Sequence, residues 1–167
     1  MRAAGAPLFA VNNRKYLGAK HRLLDFLNES ILSRAPSPEV FIDGFAGTGA
    51  VGNHFRRYAR KIIAVDLLYS NFVANQAFLN STAADVDLAK VRELLAALGR
   101  LPPSHGYVHR NYGGRYFTFE NAALIDAIRE RIDALHRQNA CTLQEKYILL
   151  TSLLYAADKA ANTVGQY

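Results

Sequence analysis

The stretch Val40-Phe41-Ile42-Asp43-Gly44-Phe45-Ala46-Gly47-Thr48-Gly49-Ala50-Val51-Gly52, followed by Lys61-Ile62-Ile63-Ala64-Val65-Asp66, constrains this chain more than any other feature. It reads as a strand, a tight glycine loop opening a helix, and a second strand ending in a carboxylate. The unbroken apolar runs Val40 to Ile42 and Ile62 to Val65 are those of parallel strands with helices on both faces. Glycines at 47, 49 and 52 remove Cβ atoms where the backbone must turn and a ligand approach. Asp66 follows Asp43 by the roughly 20 residues that one strand-helix-strand passage needs before an acid can meet ribose hydroxyls. This order builds a pocket for a nucleoside-bearing cofactor. Both a nicotinamide dinucleotide and S-adenosylmethionine fit it. Gly47-Thr48-Gly49-Ala50-Val51-Gly52 satisfies the dinucleotide pattern, but the segment Asp43 to Ala46 intervenes between strand and glycines, where that pattern wants none.

At 167 residues the chain is long enough to bury about two thirds of its unfolded surface, and a single domain over 1–167 is expected. The one cysteine, Cys141, cannot form an internal bridge, which fits a reducing cytoplasm, and it reads as small filler near a helix start. No segment has the ~20 consecutive apolar residues of a membrane span, and Met1 to Ala10 lacks the apolar core of a cleavable signal, so a cytoplasmic protein with no membrane partner is expected. A net charge of +6, with pI about 9.6, favours a polyanionic partner without requiring one.

Along the chain, helices are expected over about Gly18 to Arg34 (stripe Leu23, Leu27, Ile31; stop at Pro36 and Pro38), from the glycine loop to about Arg60, over Tyr69 to Asn80, Asp85 to Leu98 and Glu120 to His136. Gly99 to Thr118, with Pro102, Pro103, Gly106, Gly113 and Gly114, reads as a loop. Thr142-x-x-Glu145 is a capping box for a last helix, apolar nearly all round from Ile148 to Leu154 and expected to be buried. Two strands are too few for a complete open sheet. The fold class is therefore α/β, a partial Rossmann-like arrangement holding the first strands of a doubly wound sheet, with additional helices.

Three separated blocks resemble the Dam-like adenine-specific DNA methyltransferases. Asn13-Arg14-Lys15-Tyr16-Leu17-Gly18-Ala19-Lys20 resembles their N-terminal motif, and Phe41 to Val51 their Phe-Ala-Gly cofactor loop. Tyr116-Phe117-Thr118 through Arg129, then Leu153 to Tyr167 with Asn162-Thr163-x-Gly165-x-Tyr167, are similar to the region that follows. The resemblance implies S-adenosylmethionine as cofactor and duplex DNA as partner. It implies that Tyr16 and Lys20 line the cofactor pocket, lysine meeting the cofactor's carboxylate and the aromatic face its sulfonium. Asp43 would face the amino group, Phe45, Ala46 and the amides of Gly47 to Gly49 would close over the cofactor, Asp66 would accept from ribose, and Leu67 would pack on adenine. Each has a plainer reading: Tyr16 and Lys20 as a surface pair, Asp43 as a helix cap, Asp66 as a turn residue at a strand end.

The family's Asp-Pro-Pro-Tyr segment, which holds the target amine and stacks the flipped adenine, has no counterpart here. Leu101-Pro102-Pro103-Ser104 lacks both the acid and the aromatic. No catalytic residue is assigned, and the isolated chain is expected to be inactive, as one gene product of a split enzyme or as a truncated piece. Residues 118–165 would lead toward the target-recognition region. Partners expected beside duplex DNA are a complementary C-terminal methyltransferase chain, forming a heterodimer, or self-association through exposed strand edges. A non-enzymatic regulatory or assembly subunit with the same fold is the rival. Candidate DNA contacts are Arg14, Arg110, Arg115 and Asn162, with His109, Asn111 and Tyr116 beside them; Arg56, Arg57, Arg60 and Lys61 read as a solvated helix end. The five histidines show no metal-ligand spacing, and no metal is expected.

Overall fold

The computed structural model describes residues 20–162 together with residues 9 and 11, and of His21 the backbone. Its residue contacts divide the chain into two compact units, one ending at Ala83 and the other beginning at Ala84.

The first unit holds the strand-loop-helix-strand passage. A 3-10 turn over Lys20–Leu23 runs into α1 (Leu24–Leu32). β1 (Val40–Asp43) leads through the glycine loop to α2 (Ala50–Phe55), then β2 (Lys61–Ala64) and α3 (Tyr69–Leu79). β1 and β2 pair in parallel with Val40 opposite Lys61 and Asp43 opposite Ala64. One further ladder bond, from the Val65 amide to Asp43 O at 2.9 Å, carries the pairing to the point where both strands release their acids. α2 packs on both strands. Phe55 is fully buried, and its ring stacks on Phe41 at 4.3 Å and 6°. Gly52 permits the close approach: a Cβ there would lie 3.3 Å from both Ile62 and Leu79.

Several local expectations need correction. α2 ends at Phe55, short of Arg60, because Tyr58 and Ala59 both turn their amides back onto Phe55 O. The 3-10 start rotates Leu23 off the stripe with Leu27 and Ile31, and α1 buries no residue; positions 18 and 19 lie outside the described residues. The strands are not covered on both faces: Val40, Ile42 (63% exposed) and Val65 present an exposed apolar face, since alternate side chains point away from α2.

The second unit is helical: α4 (Leu88–Leu98), α5 (Tyr107–Tyr112), α6 (Phe119–Arg137) and α7 (Leu143–Ala160). α6 packs against α5 and α7, and α7 against α4. Ala122, Ala123, Ala127, Ile132 and Leu135 form the buried stripe of α6, while Leu124 and Ile128 flank it half-buried. α5 lies inside the segment read as loop. Its short amphipathic signal is hidden between prolines and glycines, and its N-terminus is capped by buried Asp126 of α6, which accepts from Val108 N at 2.9 Å and His109 N at 2.7 Å. Gly106 makes room for that carboxylate, since a Cβ would come within 2.7 Å of it. The capping box forms as expected, with Thr142 Oγ1 accepting from Glu145 N at 3.1 Å and Glu145 Oε2 from Thr142 N at 2.8 Å. α7 is buried from Ile148 to Thr151, but Ser152, Leu153 and Leu154 are only half-covered, which corrects the expectation of burial all round.

Candidate functional site

Residues that were read as cofactor ligands gather where β1 and β2 end. Tyr16 and Arg14 lie outside the described residues. Lys20, at the start of the 3-10 turn, places Nζ 3.4 Å from Asp43 Oδ1 and donates to Phe45 O. Asp43 is 7% exposed; its Oδ1 also meets Phe45 N at 3.4 Å. Its Oδ2 is buried with no hydrogen-bond partner among the described residues. A buried carboxylate oxygen without a donor is costly, which sets this atom apart from Oδ1. Asp43 caps no helix, since the N-cap of α2 is Gly49.

The loop turns through Gly47 (φ +54°) and Gly49 (φ +81°), both in the left-handed region. Ala46 is buried, its amide held by Val65 O at 2.9 Å, while its own carbonyl accepts from Gly49 N at 2.9 Å. Phe45 (83% exposed) and Leu67 (98% exposed) project from the two strand ends as bare apolar side chains, available to a flat ring.

Asp66 holds the second strand end. Its Oδ2 accepts from Gly47 N at 2.7 Å, and its Oδ1 accepts from Leu68 N at 2.9 Å and Asn71 Nδ2 at 3.0 Å. Partial burial pushes this carboxyl up, but the bonds from Leu68, Asn71 and Gly47 and the Lys20 charge outweigh it and hold the group below the usual carboxylate range. Three of about four lone-pair sites are thus taken by described residues of the protein. The turn-residue reading of Asp66 is met by its bonds from Leu68 and Asn71. Asp66 and Asn75 also line a cleft of about 120 Å³ between β2 and α3, walled by Ile62, Ala64 and Phe72. Lys20 and Asp43 do not line that cleft.

Two residues of this neighbourhood escape sequence reasoning. Asn71 (5% exposed) and Asn75 (8% exposed) sit one helical turn apart on α3 and face the loop; Asn75 Nδ2 donates to Gly47 O at 3.2 Å. Their spacing of four, just after Asp66, is the signal that could have found them.

In the second unit Arg110 and Arg115 are exposed on and after α5, and Arg110 Nη1 donates to His105 O at 3.2 Å. Tyr107, Tyr112 and Tyr116 form a partly exposed run of rings at 6.0 and 5.7 Å, and His105 stacks on His109 at 4.3 Å. Exposed Asn162 joins them, its amide donating to Tyr116 O at 2.8 Å. Buried Cys141 has its thiol pushed up by burial and by the Glu145 charge, which leaves it in the inert protonated form. Among the described residues no group of three metal-binding side chains occurs, and no helix is long and apolar enough to cross a membrane.

Comparison with known proteins fits this geometry. The family model for D12 class N6 adenine-specific DNA methyltransferases matches residues 16–167. The chain is 35% identical to Type II methyltransferase M.NlaIII of Neisseria lactamica over 161 residues, covering 91% of this chain and 47% of that one. It is 34% identical to Modification methylase LlaI of Lactococcus lactis subsp. lactis, covering 92% of this chain and 26% of that protein. With Type II methyltransferase M.CviAII of Paramecium bursaria Chlorella virus 1 the identity is 31%, over 94% of this chain and 49% of the relative. The chain thus spans between a quarter and a half of the length of these curated relatives. No solved structure is similar enough to count as a match. D12-class enzymes take their methyl group from S-adenosylmethionine, and a match running through the glycine loop, both strand-end acids and the helical unit settles the family: the chain belongs to the D12 class of N6 adenine-specific DNA methyltransferases.

Proposed function

We propose that this chain is the S-adenosylmethionine-binding half of an adenine-specific DNA methyltransferase, with a Rossmann-like sheet begun by β1 and β2 and completed by a second half. The observation that carries this reading is the open acceptor at Asp43 Oδ2, buried beside Lys20 and the left-handed glycine loop. Asp43 takes the donor's ammonium, Lys20 its carboxylate, and Asp66 Oδ2 a ribose hydroxyl; Phe45 and Leu67 flank the adenine, and Tyr16, outside the described residues, is assigned to the donor from its motif alone. When bound, S-adenosylmethionine supplies an electrophilic methyl on its sulfonium. This chain's residues bind and orient the donor, and the groups that position the target amine come from the second half.

The exposed apolar face at Val40, Ile42 and Val65, and the outer edges of the two-stranded sheet, unpaired among the described residues, support association with a complementary C-terminal methyltransferase chain, or with a second copy in its absence. For duplex DNA, support comes from Arg110 and Arg115 beside exposed tyrosines and Asn162, with no acid between Glu93 and Glu120 to repel phosphates. Arg14, outside the described residues, is proposed as a DNA contact from its motif alone. The chain alone methylates nothing.

Calorimetric titration of S-adenosylmethionine onto wild-type and Asp66→Ala chains tests the donor site. Loss of a bond to a charged acceptor costs about 2 kcal/mol, a weakening of roughly 30-fold. Equal affinity in the two proteins would remove the assignment.

A further inference from the structure

Asn71 and Asn75 are two amides buried on an otherwise largely apolar helix face, among Val73, Ala74, Ala77 and Phe78. Burying an amide is unfavourable unless its hydrogen bonds are remade, and apolar residues would pack α3 at less cost. What the two side chains do instead is hold the loop. Asn71 Nδ2 donates to Asp66 Oδ1 at 3.0 Å, and Asn75 Nδ2 donates to Gly47 O at 3.2 Å. Gly47 N in turn donates to Asp66 Oδ2 at 2.7 Å. The closed chain Asn71, Asp66, Gly47, Asn75 therefore ties one helical turn to both the glycine loop and the strand-end acid. The Asn75 amide is not fully used for stability, since its Oδ1 is buried with no partner among the described residues.

We propose that Asn71 and Asn75 are positioning residues for the methyl donor: from α3 they fix the plane of the Asp66 carboxylate and the left-handed turn at Gly47, so that the one remaining acceptor site of Asp66 points at the donor's ribose. This rests on the donor-site reading above. With Oδ1 saturated by Leu68 N and Asn71, only Oδ2 is left to a ligand, and the carboxylate cannot rotate without breaking a bond to Asn71 or to Gly47. The bond from Asn71 also favours the ionised carboxylate, which is the form that accepts from a hydroxyl.

The test is S-adenosylmethionine affinity of the 167-residue chain, measured by calorimetry between about pH 3 and pH 8, for wild type, Asn71→Leu, Asp66→Ala and the double variant. Asn71→Ser, which keeps a small polar group in the same space, stands in if the leucine variant does not fold by circular dichroism. The expected result is a weakening of about tenfold at neutral pH in Asn71→Leu. Its affinity should also start to fall at a higher pH on acidification than in wild type, because Asp66 protonates sooner. In the Asp66→Ala background Asn71→Leu should weaken binding no further. A purely structural asparagine would weaken binding equally at all pH values and additively with Asp66→Ala, and that result, or wild-type affinity in Asn71→Leu and Asn71→Ser, overturns the inference. If Asp66→Ala itself binds like wild type, or wild type does not bind, the donor-site reading fails first.

Discussion

Gly49→Ala is expected to destabilise the first unit by about 3 kcal/mol and to abolish donor binding, whereas Gly47→Ala should cost about 1 kcal/mol. Both glycines have left-handed backbone, so alanine at either costs roughly 1–2 kcal/mol of strain. They differ in their surroundings. A Cβ at Gly47 meets nothing within 4 Å, while at Gly49 it would lie 2.2 Å from Asn75 Oδ1. Asn75 is buried and cannot swing into solvent, so relieving that overlap means giving up its bond to Gly47 O and shifting the loop. The lost hydrogen bond adds about 1 kcal/mol or more to the strain. Urea unfolding of the two variants, read at the first unit, checks the difference; equal losses would mean that Asn75 does not brace the loop.

Glu145→Ala should cost the helical unit about 3 kcal/mol, the second large effect. Glu145 is 2% exposed, and its Oε2 meets Lys90 Nζ at 2.8 Å and Thr142 N at 2.8 Å. One carboxylate thus closes the cap of α7 and pins α4 to it. Breaking a buried pair costs about 3–5 kcal/mol, and the lower end applies because Lys90 can turn to water. Burial alone pushes this carboxyl up, but the bonds from Lys90 and Thr142 and the Lys90 charge hold it below the usual range. A depressed folded pKa means that the stabilisation is complete above the ordinary carboxylate pKa and is lost as pH falls through the lowered one. Wild type should therefore lose stability below about pH 4.5, and Glu145→Gln should flatten that part of the profile. An unchanged acid limb in Glu145→Gln, followed by circular dichroism, would place the acid sensitivity elsewhere.

What could be read from residues alone is what depends on neighbours in sequence. The strand, glycine loop and strand-end acids are legible because each is specified within a few positions, and the Thr142 to Glu145 box because its two halves sit three residues apart. α5 was illegible because the carboxylate that caps it, Asp126, lies 18 residues beyond Val108, and prolines and glycines surround it. Exposure of Val40, Ile42 and Val65 was also out of reach: an apolar run states what a strand would bury, not whether anything is there to cover it. Asn71 and Asn75 look like ordinary polar helix positions until their partners, Asp66 and Gly47, are brought to the same face of α3.

The loop between β1 and α2 is proposed as the seat of the methyl donor. Ultraviolet photolabelling of the chain with methyl-labelled S-adenosylmethionine, followed by peptide mapping, tests this directly. Labelling should saturate, be competed by S-adenosylhomocysteine, and fall on peptides carrying residues 41–49 or 66–72. Saturable labelling confined to the helical unit, with those two segments unmodified, would contradict it.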